Sequence, residues 1–99
     1  MTIYEHRATV VVASGSGTTH TLFIPGGLLN QVLIRMNTSD TLFAANLLDE
    51  NGTTRLNFSF NRGELNEHAL SFAVAGSYAL RITNASPDDT ATVVLSVEE

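Results

Sequence analysis

The chain has 99 residues, a formal net charge of −5 and no cysteine. This length supports one domain over residues 1–99, and the lack of cysteine excludes a disulfide framework and a thiolate metal site. Only 15% of the residues are charged, all five cationic residues are arginines, and twenty residues are Ser or Thr. Interfaces are depleted in Lys and Glu, so this composition favours a protein that packs against neighbours. A β-rich chain with Thr on its exposed strand faces is the alternative.

The first half of the chain alternates β-prone runs with turn residues. The predicted strands are residues 2–13, 18–24, 28–36 and 41–48. In the first of these, a two-residue period places alternate side chains on one face, and that face holds Tyr4, His6, Ala8, Val10 and Val12. The break at Pro25-Gly26-Gly27 is predicted to separate the second strand from the third.

The second half begins with a hairpin signal. Asn51-Gly52 supplies the two positive-φ residues of a type I′ turn, and the return strand is predicted to point Leu56, Phe58 and Phe60 inward. Residues 64–68 do not alternate, and we expect a short helical turn there. The remaining predicted strands are residues 69–75, 77–83 and 90–98, and alternation is clearest at Phe72, Val74, Gly76, Tyr78, Leu80 and Ile82.

About eight strands, spaced every ten to twelve residues, predict an all-β fold. The expected architecture is an antiparallel two-sheet sandwich of the jelly-roll-like type. Its predicted core consists of Val32, Ile34, Phe43, Leu47, Phe58, Phe72, Val74, Leu80, Ile82, Val93 and Leu95.

The residues that most often carry metal chemistry do not form a recognisable motif. No two of His6, His20 and His68 have the sequence spacing of metal ligands, so we expect ordinary strand or loop histidines. Asp49-Glu50 and Asp88-Asp89 lie in two turns without EF-hand spacing, although calcium between these loops stays open. We therefore predict no metal or cofactor site.

Catalysis and nucleic-acid binding have little support in the sequence. Ser16 lies in Ser-Gly-Ser-Gly, but a strand follows it instead of the helix that a nucleophile elbow requires. The arginines are scattered, and an acidic chain repels phosphate unless its positive charge clusters. No stretch approaches the roughly 20 apolar residues of a membrane span, and no signal peptide precedes the first strand. We expect a soluble, unprocessed protein that is not an enzyme and binds neither nucleic acid nor a membrane.

Residues 27–99 resemble small structural proteins from the particles of tailed bacteriophages. The segments that carry this resemblance are Asn30-Gln31-Val32-Leu33-Ile34-Arg35, Asp49-Glu50-Asn51-Gly52, Gly63-Glu64-Leu65-Asn66-Glu67, Gly76-Ser77-Tyr78-Ala79-Leu80-Arg81-Ile82-Thr83-Asn84-Ala85 and Val93-Val94-Leu95-Ser96-Val97-Glu98. The resemblance implies a β-sandwich virion protein that is assembled in the host cytoplasm. It implies a capsid decoration or cement protein that binds between subunits of the major capsid protein, or to another virion protein.

Two alternatives to a decoration protein stay open. A head–tail connector, or a sandwich associated with the tail or a fibre, fits the same resemblance. A carbohydrate-binding module is the alternative from a different class, because jelly rolls often bind sugars. The chain has no tryptophan, and Tyr4 and Tyr78 are its two tyrosines, so few side chains can stack on a sugar ring. The sequence leaves open the position on the particle and the copy number.

The N-terminal segment is the predicted partner interface. Residues 1–13 are expected to form an arm or an edge strand, with Ile3, Tyr4, Glu5, His6 and Arg7 as the contacting residues. Residues 1–7 are more polar than a core strand, and open strand edges pair readily with other chains. The alternative is an ordinary first strand in its own sheet. Low charge and the lack of lysine also predict a homo-oligomer, and the resemblance favours a trimer because decoration proteins commonly sit on local threefold axes.

Overall fold

The computed structural model describes residues 3–15 and 17–99, except for the side chain of Ala69. The chain forms six antiparallel strands, which are hydrogen-bonded in the order β1-β6-β2-β5-β3-β4. Their bounds are β1 (Ile3–Val12), β2 (Thr18–Met36), β3 (Leu42–Asp49), β4 (Thr54–Arg62), β5 (Glu64–Thr83) and β6 (Asp89–Glu98). In the described ranges, no helix has the length and apolar character needed to cross a membrane.

The two longest strands, β2 and β5, belong to both layers of the sandwich. Residues 18–24 of β2 pair with residues 76–82 of β5, whereas residues 28–36 of β2 also pair with β6. One layer therefore has the order β1-β6-β2-β5, and the other has the order β2-β5-β3-β4. The six strands thus provide eight segments in two layers, which confirms the predicted jelly-roll-like sandwich.

The bend between the layers depends on glycine. Gly26, Gly27 and Gly76 have φ values of 148°, 144° and 104°, which side chains of L-residues disfavour. At Gly27, an added Cβ would lie 2.5 Å from the carbonyl oxygen of Glu98. The predicted break between residues 18–24 and 28–36 is therefore a bend within one strand, and Gly76 plays the same part in β5.

The core lies between the layers and follows the predicted alternation. Ten of the eleven predicted core residues are buried, and Phe72 is half-buried against the same cluster. Further members of the core are Val12, Ile24, Leu29, Leu65 and Val97.

Phe60, which alternation predicts to point inward, is 59% exposed. The register between β3 and β4 shifts between Phe43 and Ala45, so Ser59 and Phe60 together oppose Ala44. Such a bulge inserts one extra residue and reverses the facing of the residues beyond it. Phe60 therefore points to solvent.

Residues 64–68, predicted as a helical turn, instead begin β5. Glu64 pairs with Arg35 and Leu65 pairs with Ile34 in the β2–β5 ladder. Leu65 is buried, while Glu64 is exposed. Leu65 is the one apolar residue among these five, so the sequence carries no alternation that could indicate a strand.

The predicted hairpin after β3 exists, but its turn is not of type I′. Positive φ occurs at Gly52 and not at Asn51. The Asp49 carboxylate accepts hydrogen bonds from the backbone amides of Asn51 (2.9 Å) and Thr53 (3.0 Å). This Asx arrangement bends the chain locally, so that one positive-φ residue is sufficient.

Candidate functional site: the edge strand β1 and its histidine

Strand β1 lies at the edge of its layer. It pairs with β6 along its whole length, from Ile3 opposite Glu98 to Val12 opposite Asp89. Within the described part of the chain, no strand pairs with the other side of β1. Residues 3–7, the predicted contact residues, therefore lie in the sheet of their own domain, at a strand edge with open backbone groups. Met1 and Thr2 of the predicted arm lie outside the described residues.

The inward face of β1 becomes more buried along the strand, from Tyr4, which is 36% exposed, to Val12, which is completely buried. The outward face is exposed along the whole strand, and Ile3 on that face is 58% exposed. Glu5 and Arg7 form an exposed ion pair with an N–O distance of 3.3 Å. Such a pair contributes little to stability, so the first half of β1 is held mainly by its backbone ladder.

A second exposed apolar side chain lies in the same row as Ile3. Ile3 on β1 and Leu28 on β2 both pair with Glu98 of the intervening strand β6. Residues that are directly opposite share a face, and two strand spacings separate these side chains by about 10 Å. Leu28 is 41% exposed. We call Ile3 and Leu28, which flank Glu98 on this face, the edge patch.

A pair of histidines joins the two layers beside this strand. A hydrogen bond of 2.9 Å joins the Nε2 atoms of His6 on β1 and His20 on β2, and the ring centroids are 5.1 Å apart with the planes tilted by 39°. Both rings are half-buried, because His6 shares a strand face with Val12, and His20 shares one with Ile24. Burial, and secondly the neighbouring His20, lower the pKa of His6 below its usual value of 6.5.

The histidine pair could not be found from sequence spacing. His6 and His20 are 14 residues apart and reach each other only because their strands lie at facing edges of different layers. The available signal was that each occupies an inward-facing position of an amphipathic strand. His68, the third histidine, lies on β5 opposite Gln31 and is exposed.

The acidic residues of the last turn act as hydrogen-bond acceptors that fix loops. Asp89 accepts hydrogen bonds from the Thr38 amide (2.8 Å), the Thr41 hydroxyl (2.9 Å) and the Thr90 amide (2.8 Å). Partial burial acts to raise the pKa of Asp89, but these hydrogen bonds outweigh it, so the pKa lies below the usual 3.8. Across residues 3–15 and 17–99, no three His, Cys, Asp or Glu side chains are grouped so that they could hold a metal ion.

A shallow polar groove of about 220 Å³ lies near the bend of β5. Its lining includes Asp49, Arg55 and Tyr78. The Tyr78 hydroxyl accepts a hydrogen bond from the Ala75 amide (3.1 Å), and only 8% of the residue is exposed. The ring of Tyr78 therefore packs in the core and does not present a face on which a sugar could stack.

Comparisons with known proteins give a likeness of chain path alone. No family model matches the sequence, and no curated protein matches it. The Yersinia pseudotuberculosis-derived mitogen aligns with a TM-score of 0.44 and 12% identity over 99% of this chain and 87% of the mitogen. The infectious bursal disease virus Gt strain structure gives 0.42 and 12%, over 97% of this chain and 31% of that chain. A family two carbohydrate esterase from Cellvibrio japonicus gives 0.37 and 10%, over 95% and 34%.

Proposed function

We propose that this chain is a non-enzymatic structural protein of a virus particle, and that it acts there as a capsid decoration or cement protein. The sequence resemblance of residues 27–99 to phage virion proteins supports this proposal, together with the jelly-roll-like sandwich. The observation that carries it is the open edge of β1 with the edge patch beside it. A head–tail connector would use the same edge.

The open edge suggests how the protein holds a partner. Exposed backbone groups of an edge strand can pair with a strand of another chain, and proteins normally protect such edges. Ile3 and Leu28 would add apolar contact on the face beside that new strand. A specific protein–protein interface buries about 1,000 Å² or more, and in this proposal only the assembled shell offers the complete binding site for the protein. Binding therefore stabilises the shell by mass action.

We also propose that the protein forms a homo-oligomer, with a trimer favoured. The low charge of the chain and the exposed apolar side chains of the edge patch support self-association. Sedimentation equilibrium on the purified protein tests this proposal over a range of concentrations. A monomer at every concentration, both free and after release from particles, would contradict it.

The central experiment deletes residues 2–7 and measures binding to particles. Full-length protein should co-sediment with viral shells from which it has been removed, and the deletion variant should not. Phe60→Thr is the matched control, because it removes an exposed aromatic from the opposite edge strand, β4. Circular dichroism and urea unfolding should show that all three proteins fold cooperatively.

The outcomes of this experiment separate the candidates. Failure of the full-length protein to bind shells would contradict the decoration role, and a cryo-EM map that places it at the head–tail junction would favour the connector. Loss of cooperative unfolding in the deletion variant would show that residues 2–7 belong to the core. In that case the interface would have to lie elsewhere.

A further inference from the structure

We propose that His6 and His20 form a two-nitrogen binding site for a divalent transition-metal ion of the Cu²⁺, Ni²⁺ or Zn²⁺ class. The two imidazoles approach through their Nε2 atoms at the open side of the sandwich. This inference is independent of the role in a virus particle, since it rests on the geometry of two side chains.

The distance between the two nitrogens fits one shared ion. Imidazole nitrogens bind these ions at about 2.0–2.1 Å, which places two ligands on one ion about 2.9 Å apart at a right angle and about 3.3 Å apart in a tetrahedron. The His6 and His20 Nε2 atoms are 2.9 Å apart and share one hydrogen bond, for which one of the two nitrogens carries the proton. A bound ion would displace this proton, as metal binding to protonated ligands does, and rotation of the two rings, which are tilted by 39°, would direct both lone pairs at the ion.

The donor atoms also suit a metal ion, since imidazole nitrogen binds metals in its neutral form. Nitrogen donors of this kind favour Cu²⁺, Ni²⁺ and Zn²⁺ over Mg²⁺ or Ca²⁺. Both rings are half-buried and not enclosed, so water or a group from a neighbouring chain can take the remaining coordination positions.

A bound ion would connect two strands that share few other contacts. His6 lies on β1, an edge of one layer, and His20 lies in residues 18–24 of β2, an edge of the other layer. An ion that binds the folded protein and not the unfolded chain stabilises the fold. The site would therefore close the open side of the sandwich and hold the first half of β1 in place.

Calorimetric titration of the metal-free, full-length protein with Cu²⁺, Ni²⁺ and Zn²⁺ tests the proposal. We expect one ion per chain, and at least a tenfold loss of affinity in His6→Gln and in His20→Gln. His68→Gln is the matched control, because His68 is exposed on β5, and its affinity should equal that of the wild type. Unchanged affinity in the first two variants would overturn the proposal.

A measurement on the wild type removes any dependence on how the variants fold. In NMR spectra of the imidazole rings, Zn²⁺ should shift or broaden the signals of His6 and His20 together and leave those of His68 unchanged. A melting temperature that rises with Zn²⁺ should accompany this change. Equal perturbation of all three histidines, or of none, would exclude a specific site at this pair.

Discussion

The two halves of β1 make the same backbone ladder with β6, yet their inward-facing side chains are buried to different extents. In residues 8–12, Val10 is 8% exposed and Val12 is completely buried. In residues 3–7, on the same face, Tyr4 is 36% exposed and His6 is half-buried. Strand pairing therefore places a segment in the sheet but does not make it part of the core.

The difference arises from what surrounds each end of the strand. Beyond Val12, Ser14 is tied to the last turn: its hydroxyl donates to the Ser86 carbonyl (2.6 Å), and its amide donates to the Asp88 carboxylate. At the opposite end of β1, Ile3 lies two strands away from Leu28, which follows the glycine bend, and both side chains are exposed. We infer that residues 8–14 stabilise the fold, whereas residues 3–7 are available for binding.

Truncation of a completely buried side chain should give the largest loss of stability, with which the effects in β1 can be compared. Leu80 on β5 is completely buried, and Leu80→Ala should lower the free energy of unfolding by about 3–4 kcal/mol through lost burial and a residual cavity. Phe72→Ala should cost less, because Phe72 is half-buried. Urea unfolding measures the stability of both variants. Equal losses of unfolding free energy would show that the exposed fraction of these two side chains does not determine their contribution to stability.

The adjacent residues Val11 and Val12 test the buried half of β1 directly. Val12 is completely buried and Val11 is 77% exposed. Val12→Ala should lower the free energy of unfolding by about 2 kcal/mol, and Val11→Ala should change it by less than about 0.5 kcal/mol. Similar losses for both variants would contradict the assignment of faces in this strand.

Much of this architecture follows from sequence, because alternation reports which face of a strand is buried. It predicted the inward direction of Val12 and Leu80 without any knowledge of their partners. It could not show where along β1 the core ends, since Tyr4 belongs to the same alternating series as Val12 yet is 36% exposed. That boundary depends on which strands cover each end.

The errors have the same physical origin. Phe60 is turned outward by a bulge in its pairing with β3, and register is a property of two strands together. The His6–His20 contact similarly requires the two layers to be packed, so that neither histidine indicates the other in sequence. Local turn chemistry was predicted more closely, although Asp49 and not Asn51 determines the hairpin before β4.

Asp89 lies opposite Val12 in the ladder, and its carboxylate ties the turn at residues 38–41 to the start of β6. Asp89→Asn should lower the free energy of unfolding by about 1 kcal/mol at pH 7, because charge-assisted hydrogen bonds to Thr38, Thr41 and Thr90 are weakened. Asp40→Asn is the control for the change in charge. Asp40 is an exposed turn residue, and its variant should stay within about 0.5 kcal/mol of the wild type.

The pH dependence sharpens this test. The folded-state pKa of Asp89 lies below the usual 3.8, so its stabilising contribution is complete above that pH and is lost as the pH falls through the folded-state pKa. As the pH falls below 4, the wild type should therefore lose more stability than Asp89→Asn does. Parallel acid-unfolding curves for the two proteins would show that Asp89 contributes no such linkage.

The smallest effect on stability, and the sharpest on association, is expected at Ile3. Ile3→Ser removes an apolar side chain that is already 58% exposed and keeps the backbone ladder to Glu98, so the free energy of unfolding should change by less than about 0.5 kcal/mol. Self-association and shell binding should nevertheless weaken at least tenfold, because the variant removes the more exposed apolar side chain of the edge patch. Thr9→Ser, at another exposed position of β1, should leave both properties unchanged.

Urea unfolding and sedimentation of the same samples separate an effect of Ile3→Ser on folding from an effect on association. A stability loss of more than about 1 kcal/mol would place Ile3 in the core, and unchanged association with normal stability would exclude this edge as the interface.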